Sequence, residues 1–138
     1  MKLSRTVAYA LQATLQLAQA NSHLPVPCSR LATEGKMPER FLLQILRNLV
    51  AHGILSSTRG VEGGYTLGRK PAEISILEVI EAIDGPLAAA MPVSEGLSDD
   101  LRGKLEAALN AVTDATRHQL GSVTLAHLLP ALDAPATT

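Results

Sequence analysis

Apolar residues between positions 4 and 20 recur at helical spacing, with Val7, Leu11, Leu15 and Ala18 among the positions expected inside, so the chain should open with a helix. Asn21-Ser22-His23-Leu24-Pro25 ends that pattern. A shorter helix is predicted over about 27–34, with Pro27 near its first turn and Leu31 buried. Gly35-Lys36-Met37 then reads as a turn. The strongest pattern follows over 38–52. Residues 41, 42, 45, 46 and 49 are apolar and share one face at about 100° per residue, while Arg40, Leu43, Gln44 and Arg47 fall on the other. Pro38 suits the start of this helix and Gly53 its end.

Beyond Gly53 the period shortens. Ile54 to Thr58 predicts a strand, 59–64 a glycine-rich hairpin tip, and Tyr65-Thr66-Leu67 the return strand. Ser75-Ile76-Leu77-Glu78 is a capping box that opens a helix to about Ile83, closed by Gly85-Pro86. Small residues, Pro and Gly fill 85–97 as a linker. Ser98-Asp99-Asp100 caps a long helix over about 99–119, whose apolar residues Leu101, Leu105, Leu109 and Val112 form a narrow stripe. A short helix over about 124–129 follows, and the tail from Asp133 is expected to lack fixed structure.

Helix, turn, amphipathic helix and glycine-rich hairpin, in that order, predict a winged helix-turn-helix. The expected fold is mainly α with a small β-hairpin wing and a long C-terminal helix. The expected division is 1–84 for the winged domain, 85–98 for the linker, 99–132 for a dimerisation helix with a short closing helix, and 133–138 for the tail. A long helix tethered to a small domain needs a partner for its stripe, and antiparallel pairing in a homodimer supplies one.

Composition sharpens this picture at two points. Aromatic residues are limited to Tyr9, Phe41 and Tyr65 among 138 residues, so an aromatic stacking platform for single-stranded nucleic acid is excluded and all three are expected in the core. The net charge of -1 hides an asymmetry: residues 1–70 hold nine Lys/Arg against three Asp/Glu, and residues 71–138 hold three against ten. A basic front half fits double-stranded DNA, and an acidic rear half a separate body.

A helix with a buried stripe and an Arg/Gln/Arg outer face suits a DNA major groove. The candidate DNA contacts are Lys36, Pro38, Glu39, Arg40, Leu43, Gln44 and Arg47 around this helix, Arg59, Gly60, Gly63 and Gly64 in the wing, and Lys2, Ser4 and Arg5 at the start of the first helix. The bland reading of each is a solvated surface or a helix cap. The wing glycines would let backbone approach a phosphate. Cys28, the single cysteine, excludes an internal disulfide and fits a reducing cytoplasm. Its place in the first turn of the second helix could lower its pKa and make it a redox thiol, against the simpler reading as a small apolar residue. His23, His52, His118 and His127 lack metal-ligand spacing, and no nucleophile motif or phosphate loop stands out, so no metal site and no enzyme activity are expected. No apolar run approaches the roughly 20 residues of a membrane span.

The residues also resemble a known family. Met1-Lys2-Leu3-Ser4 with Tyr9-Ala10, Arg59-Gly60 followed by Gly63-Gly64-Tyr65 and Leu67, the stretch from Ile74 to Leu87, and Thr124-Leu125-Ala126 with Leu128-Leu129 are together similar to the Rrf2 family, the IscR-like winged-helix transcription regulators. That resemblance implies a bacterial DNA-binding homodimer, usually a repressor, whose wing arginine, here Arg59, reaches a minor groove. Many members carry an iron–sulfur cluster on three cysteines between the helix after the wing and the dimer helix. Residues 86–100 of this chain contain neither cysteine nor histidine, so no cofactor is expected. The family commonly has glutamate at position 43 and serine at 38, where this chain has Leu43 and Pro38. A leucine meets apolar edges such as a thymine methyl, so the operator should differ from that of glutamate-bearing relatives. Two other readings remain open: a protein-interaction winged helix, and a small-molecule or thiol sensor with its effector pocket between the winged domain and the long helix.

Overall fold

Small residues decide how the first helix packs. In a computed structural model of the chain, which describes residues 1–20, 23–89 and 95–130, α1 spans Arg5–Ala20 and buries Val7, Ala10, Ala13, Thr14, Leu17 and Ala18. Leu11 and Leu15, expected inside, lie on the flanks and only partly pack against the core. Ala10 and Ala13 let α1 approach its neighbours closely, and a leucine at either position would hold it off. Thr14 is buried without cost because its hydroxyl donates to the Leu11 carbonyl at 2.9 Å.

Helix α2 covers Cys28–Gly35 and α3 covers Glu39–Ala51. Pro27 and Pro38 precede these helices as N-caps in extended conformation. The turn between them is set by Lys36, which adopts a left-handed conformation (φ 56°) and closes α2 with backbone bonds to Ala32 and Thr33. Two glutamines from α1 hold α2 in place: Gln12 Nε2 donates to the Gly35 carbonyl at 2.7 Å and Gln16 Nε2 to the Leu31 carbonyl at 3.3 Å. Leu42, Ile45, Leu46 and Leu49 of α3 are fully buried, each stabilising the fold by about 1.5–3 kcal/mol. Phe41 departs from the expected stripe. It is 46% exposed and rests edge-on against Tyr9, ring centroids 6.0 Å apart. At the margin of the stripe its ring reaches past the core to the flank of α1.

Strands β1 (Leu55–Thr58) and β2 (Gly64–Leu67) pair antiparallel, Leu55 opposite Leu67 and Thr58 opposite Gly64. Val26 adds one rung to this hairpin, exchanging both backbone hydrogen bonds with Tyr65 at 2.9 Å. That rung fastens the wing to the chain leading into α2. Gly64 makes it possible, because a Cβ there would overlap the Val26 carbonyl and the Pro27 nitrogen. Gly64→Ala should therefore destabilise the protein by about 1–3 kcal/mol through overpacking, read as a lower midpoint of urea unfolding. An unchanged midpoint would show that the rung is dispensable.

A one-turn 3-10 helix, Pro71–Glu73, leads to α4, Ile76–Asp84. The capping box that opens α4 is formed: Glu78 N–H donates to Ser75 Oγ at 3.1 Å, and Ser75 N–H to Glu78 Oε2 at 3.0 Å. Helix α5 runs Asp99–Gly121, two residues beyond its expected end, and starts where Leu101 N–H donates to Ser98 Oγ. Helix α6, Leu125–Leu128, returns to the winged body. Leu125 is fully buried, its N–H donates to the Ile74 carbonyl at 2.9 Å, and Thr124 bridges Ser75. The expected tail from Asp133 and part of the expected linker, residues 90–94, lie outside the described residues.

Helix α5 differs from the others in burying no residue. Leu101, Leu105, Leu109 and Val112 are between 37% and 64% exposed. It is held to the body by an ion pair whose partners stand 36 positions apart. Arg117 Nε donates to Glu81 Oε2 and Nη2 to Oε1, both at 3.0 Å, in a bidentate fork. Glu81 Oε2 also accepts from Leu87 N–H at 2.7 Å, so one carboxylate fixes α4, α5 and the start of the linker together. The hydrogen bonds from Arg117 hold the Glu81 carboxyl below its usual range; partial burial opposes this shift, and the Leu87 bond and the Arg117 charge reinforce it. Among the described residues no helix is long and apolar enough to cross a membrane.

Candidate nucleic-acid interface

The sequence-predicted contacts come from three places, and one side-chain contact links two of them. The Tyr9–Phe41 ring contact brings the start of α1 against the start of α3. The Tyr65 phenol of β2 is pushed up, first by burial and then by the charge of Cys28, and the charge of Arg47 of α3 opposes this shift. Lys2, Ser4, Arg5, Lys36, Pro38, Glu39, Arg40, Gln44, Arg47, Arg59 and Gly60 are exposed, and Leu43, Gly63 and Gly64 half-buried.

Individual members divide in character. Ser4 accepts from Val7 N–H at 3.2 Å and so serves as the cap of α1, with its own O–H left to donate. Gly63 and Gly64 make room for the chain itself: a Cβ at Gly63 would overlap the Thr58 carbonyl oxygen, as one at Gly64 would overlap Val26. Their absent side chains are thus explained by the wing's own packing. Leu43 is a half-buried leucine on the outer flank of α3 that does not pack against the core cluster, unlike Val50 further along the helix. Its apolar surface stands among Arg40, Gln44 and Arg47 in the helical projection.

Ion pairs divide the cations of the molecule into two groups. The chain has 12 Lys and Arg residues. Arg30, Arg69, Arg102, Lys104 and Arg117 are each paired with a carboxylate within 4.0 Å. The other seven, Lys2, Arg5, Lys36, Arg40, Arg47, Arg59 and Lys70, make no ion pair among the described residues. All seven lie within the first 70 positions, and six of them were singled out as DNA contacts from the sequence. None of the six predicted contact cations is therefore neutralised by an ion pair among the described residues, whereas every Lys and Arg outside the predicted set except Lys70 is.

Cys28 departs from the expectation of a lowered pKa. Its thiol is pushed up, first by burial and then by the charge of Glu39, whose carbonyl lies 3.7 Å from Sγ. Sequence reasoning placed Glu78 in a capping box but did not find its ion pair with Arg69, at 3.2 Å, which ties the base of the wing to α4. Nor did it find the Glu81–Arg117 fork.

A family profile described as "Rrf2: Iron-dependent Transcriptional regulator" matches residues 3–131. A Mycobacterium tuberculosis protein described as an HTH-type transcriptional regulator is 41% identical over 123 residues, covering 89% of this chain and 75% of that protein. CymR of Bacillus subtilis is 32% identical over 128 residues, covering 93% and 89%. In structure, CymR, titled the global cysteine regulator of B. subtilis, superposes with a TM-score of 0.75 at 28% identity, covering 93% of this chain and 95% of that one. T. potens IscR superposes with a TM-score of 0.72 at 26% identity, covering 100% and 94%.

The profile's description names iron, and the donors in this chain do not fit an iron–sulfur cluster. The single thiol is Cys28, which sits at the start of α2 against Glu39. Residues 86–100, between α4 and α5, offer no thiol or imidazole. A cluster needs several soft ligands converging on one point, and a lone half-buried thiol cannot supply them.

Proposed function

The chain belongs to the Rrf2 family of transcriptional regulators, and from that premise we propose that it is a cluster-free repressor that binds an inverted-repeat operator in double-stranded DNA as a homodimer. The observation that supports this reading is that seven cations, all within the first 70 residues and six of them at α1, the turn into α3, α3 and the wing, make no ion pair among the described residues, whereas the other five are paired. In this reading residues 1–84 form the DNA-binding unit, 85–98 the linker, and 99–132 the dimerisation segment, and α3 lies in the major groove with its N-terminal residues on base edges. Arg40 and Gln44 read bases, Arg47 clamps a phosphate, and Lys2, Arg5 and Lys36 set the register on the backbone. Arg59 enters the minor groove. Dimer symmetry is mirrored in the operator.

Selection of bound fragments from random duplex DNA supplies the operator, after which the contacts separate by kind. Arg40→Ala or Gln44→Ala should cost about 1–3 kcal/mol on the selected site and relax preference at one position. Arg47→Ala should weaken binding to selected and random duplex by the same factor. If all three variants act uniformly across sequences, α3 does not read bases.

A small-molecule sensor is the second reading. A cavity of about 370 Å³ lies beside the end of α4, lined in part by His52, Arg69, Glu78, Glu81 and Pro86. An effector there would sit against the Glu81 carboxylate that holds α5, and so could bias the placement of the dimer helix.

A further inference from the structure

The wing tip carries a residue that the phosphate backbone should reject. Gly63 N–H donates to the Gly60 carbonyl at 3.0 Å, closing a four-residue turn with Val61 and Glu62 at its apex. Gly60 sustains that turn with φ 112°, a conformation that side chains rarely adopt. Val61 is fully exposed, and Glu62 is exposed with no ion pair among the described residues. Arg59 stands immediately before the turn. A carboxylate is thus presented at the tip of the wing, next to the cation Arg59, although it belongs to the element that would enter a groove.

We propose that Glu62 makes the wing tip selective for a G·C pair in the minor groove. The inference rests on the DNA-binding reading above. The minor-groove edges of A·T and T·A pairs present only acceptors, and the guanine N2 amino group is the single donor in that groove. An ionised carboxylate accepts hydrogen bonds and cannot donate, so the guanine amino group is the one base feature there that can satisfy it. Electrostatics act in the same direction. Narrow A·T tracts concentrate negative potential, which attracts Arg59 and repels Glu62. Arg59 and Glu62, three positions apart, therefore favour different base pairs, and the wing reads an A·T-rich step next to a G·C pair. Val61 at the same apex presents apolar surface to the groove wall and floor.

Deoxyinosine tests this directly, because it lacks the N2 amino group of guanine and keeps the major-groove edge. Each guanine of the selected operator would be replaced singly, and affinities of the wild type and Glu62→Ala measured by fluorescence anisotropy. One guanine under the wing should weaken the wild type roughly tenfold when replaced, the size of one hydrogen bond to a charged group. Glu62→Ala should bind guanine and deoxyinosine at that position within about twofold, while other guanines behave alike for both proteins. Operator binding by a wild type indifferent to every replacement would overturn the proposal. So would an equal loss in both proteins, or a Glu62→Ala variant that tightens on all duplexes by one factor, since the carboxylate would then only repel phosphate. Failure to select any bound duplex would strike the DNA-binding reading itself.

Discussion

Replacing Leu105 and Leu109 together with glutamate should convert the protein to a monomer and weaken operator binding by about 10²–10⁴-fold. The reasoning starts from the exposure of α5. A 23-residue helix that buries none of its side chains in its own chain leaves the Leu101, Leu105, Leu109 and Val112 stripe in water. Covering that stripe with a second copy removes apolar surface at about 25 cal/mol per Å². Antiparallel pairing also sets the acidic start of one helix, Asp99 and Asp100, near the end of the other that carries His118. Two facing glutamates per helix would have to be desolvated without partners, which a dimer cannot absorb. The fold of each chain should survive, because neither leucine contributes to its core. A monomer has one half-site contact where the dimer has two, and losing the second, effectively intramolecular contact costs the factor stated. Light scattering reads the mass, circular dichroism the retained helix, and anisotropy the affinity. A wild type that remains monomeric at micromolar concentration would refute the pairing, as would a double variant that stays dimeric.

Legibility in the sequence followed the range of the interaction. Leu42, Ile45, Leu46 and Leu49 were readable because a helix converts a spacing of three and four into one face, and nothing distant is needed to see it. The Ser75–Glu78 capping box was readable for the same reason, since both partners lie within one turn. The wing was marked by its glycines. The rung between Val26 and Tyr65 was not readable: it consists of two backbone bonds across 39 positions, and backbone bonds leave no side-chain pattern. The Arg117–Glu81 fork shows the same difficulty, because each residue looks like an ordinary charged position on its own helix. In α1 the larger side chains misdirected the reading. Leu11 and Leu15 are the more hydrophobic, yet Ala10 and Ala13 are buried because close helix packing selects for size. Phe41 was placed inside by its chemistry and lies half outside because its ring meets Tyr9 at the edge of the core. The cationic set was legible by type, but that these residues lack ion pairs could be learned only from the fold.

Affinity for the operator should fall by roughly 10³-fold between 50 and 200 mM salt. Lys2, Arg5, Lys36, Arg40, Arg47, Arg59 and Lys70 are the unpaired cations of one chain, and Arg40 is assigned to a base. If about three of the others neutralise a phosphate in each protomer, a dimer displaces counterions from about six phosphates, and log K should fall with log salt at a slope near -5. The slope separates this surface from an ordinary solvated one, because scattered surface charges bind no polyanion in register and give a shallow dependence. It also distinguishes residues. Arg47→Ala should reduce the slope by about 2 in a dimer, one phosphate lost on each side, whereas Gln44→Ala should weaken binding and leave the slope as it was. Arg30→Ala serves as the control, since Arg30 is already paired with Glu34 at 3.0 Å and should change neither quantity. Anisotropy titrations of the selected duplex across a salt series supply all four slopes. A wild-type slope shallower than about -2, or an equal effect from Arg30→Ala and Arg47→Ala, would remove the unpaired cations from the binding mechanism and with them the main support for a DNA-reading surface on this face.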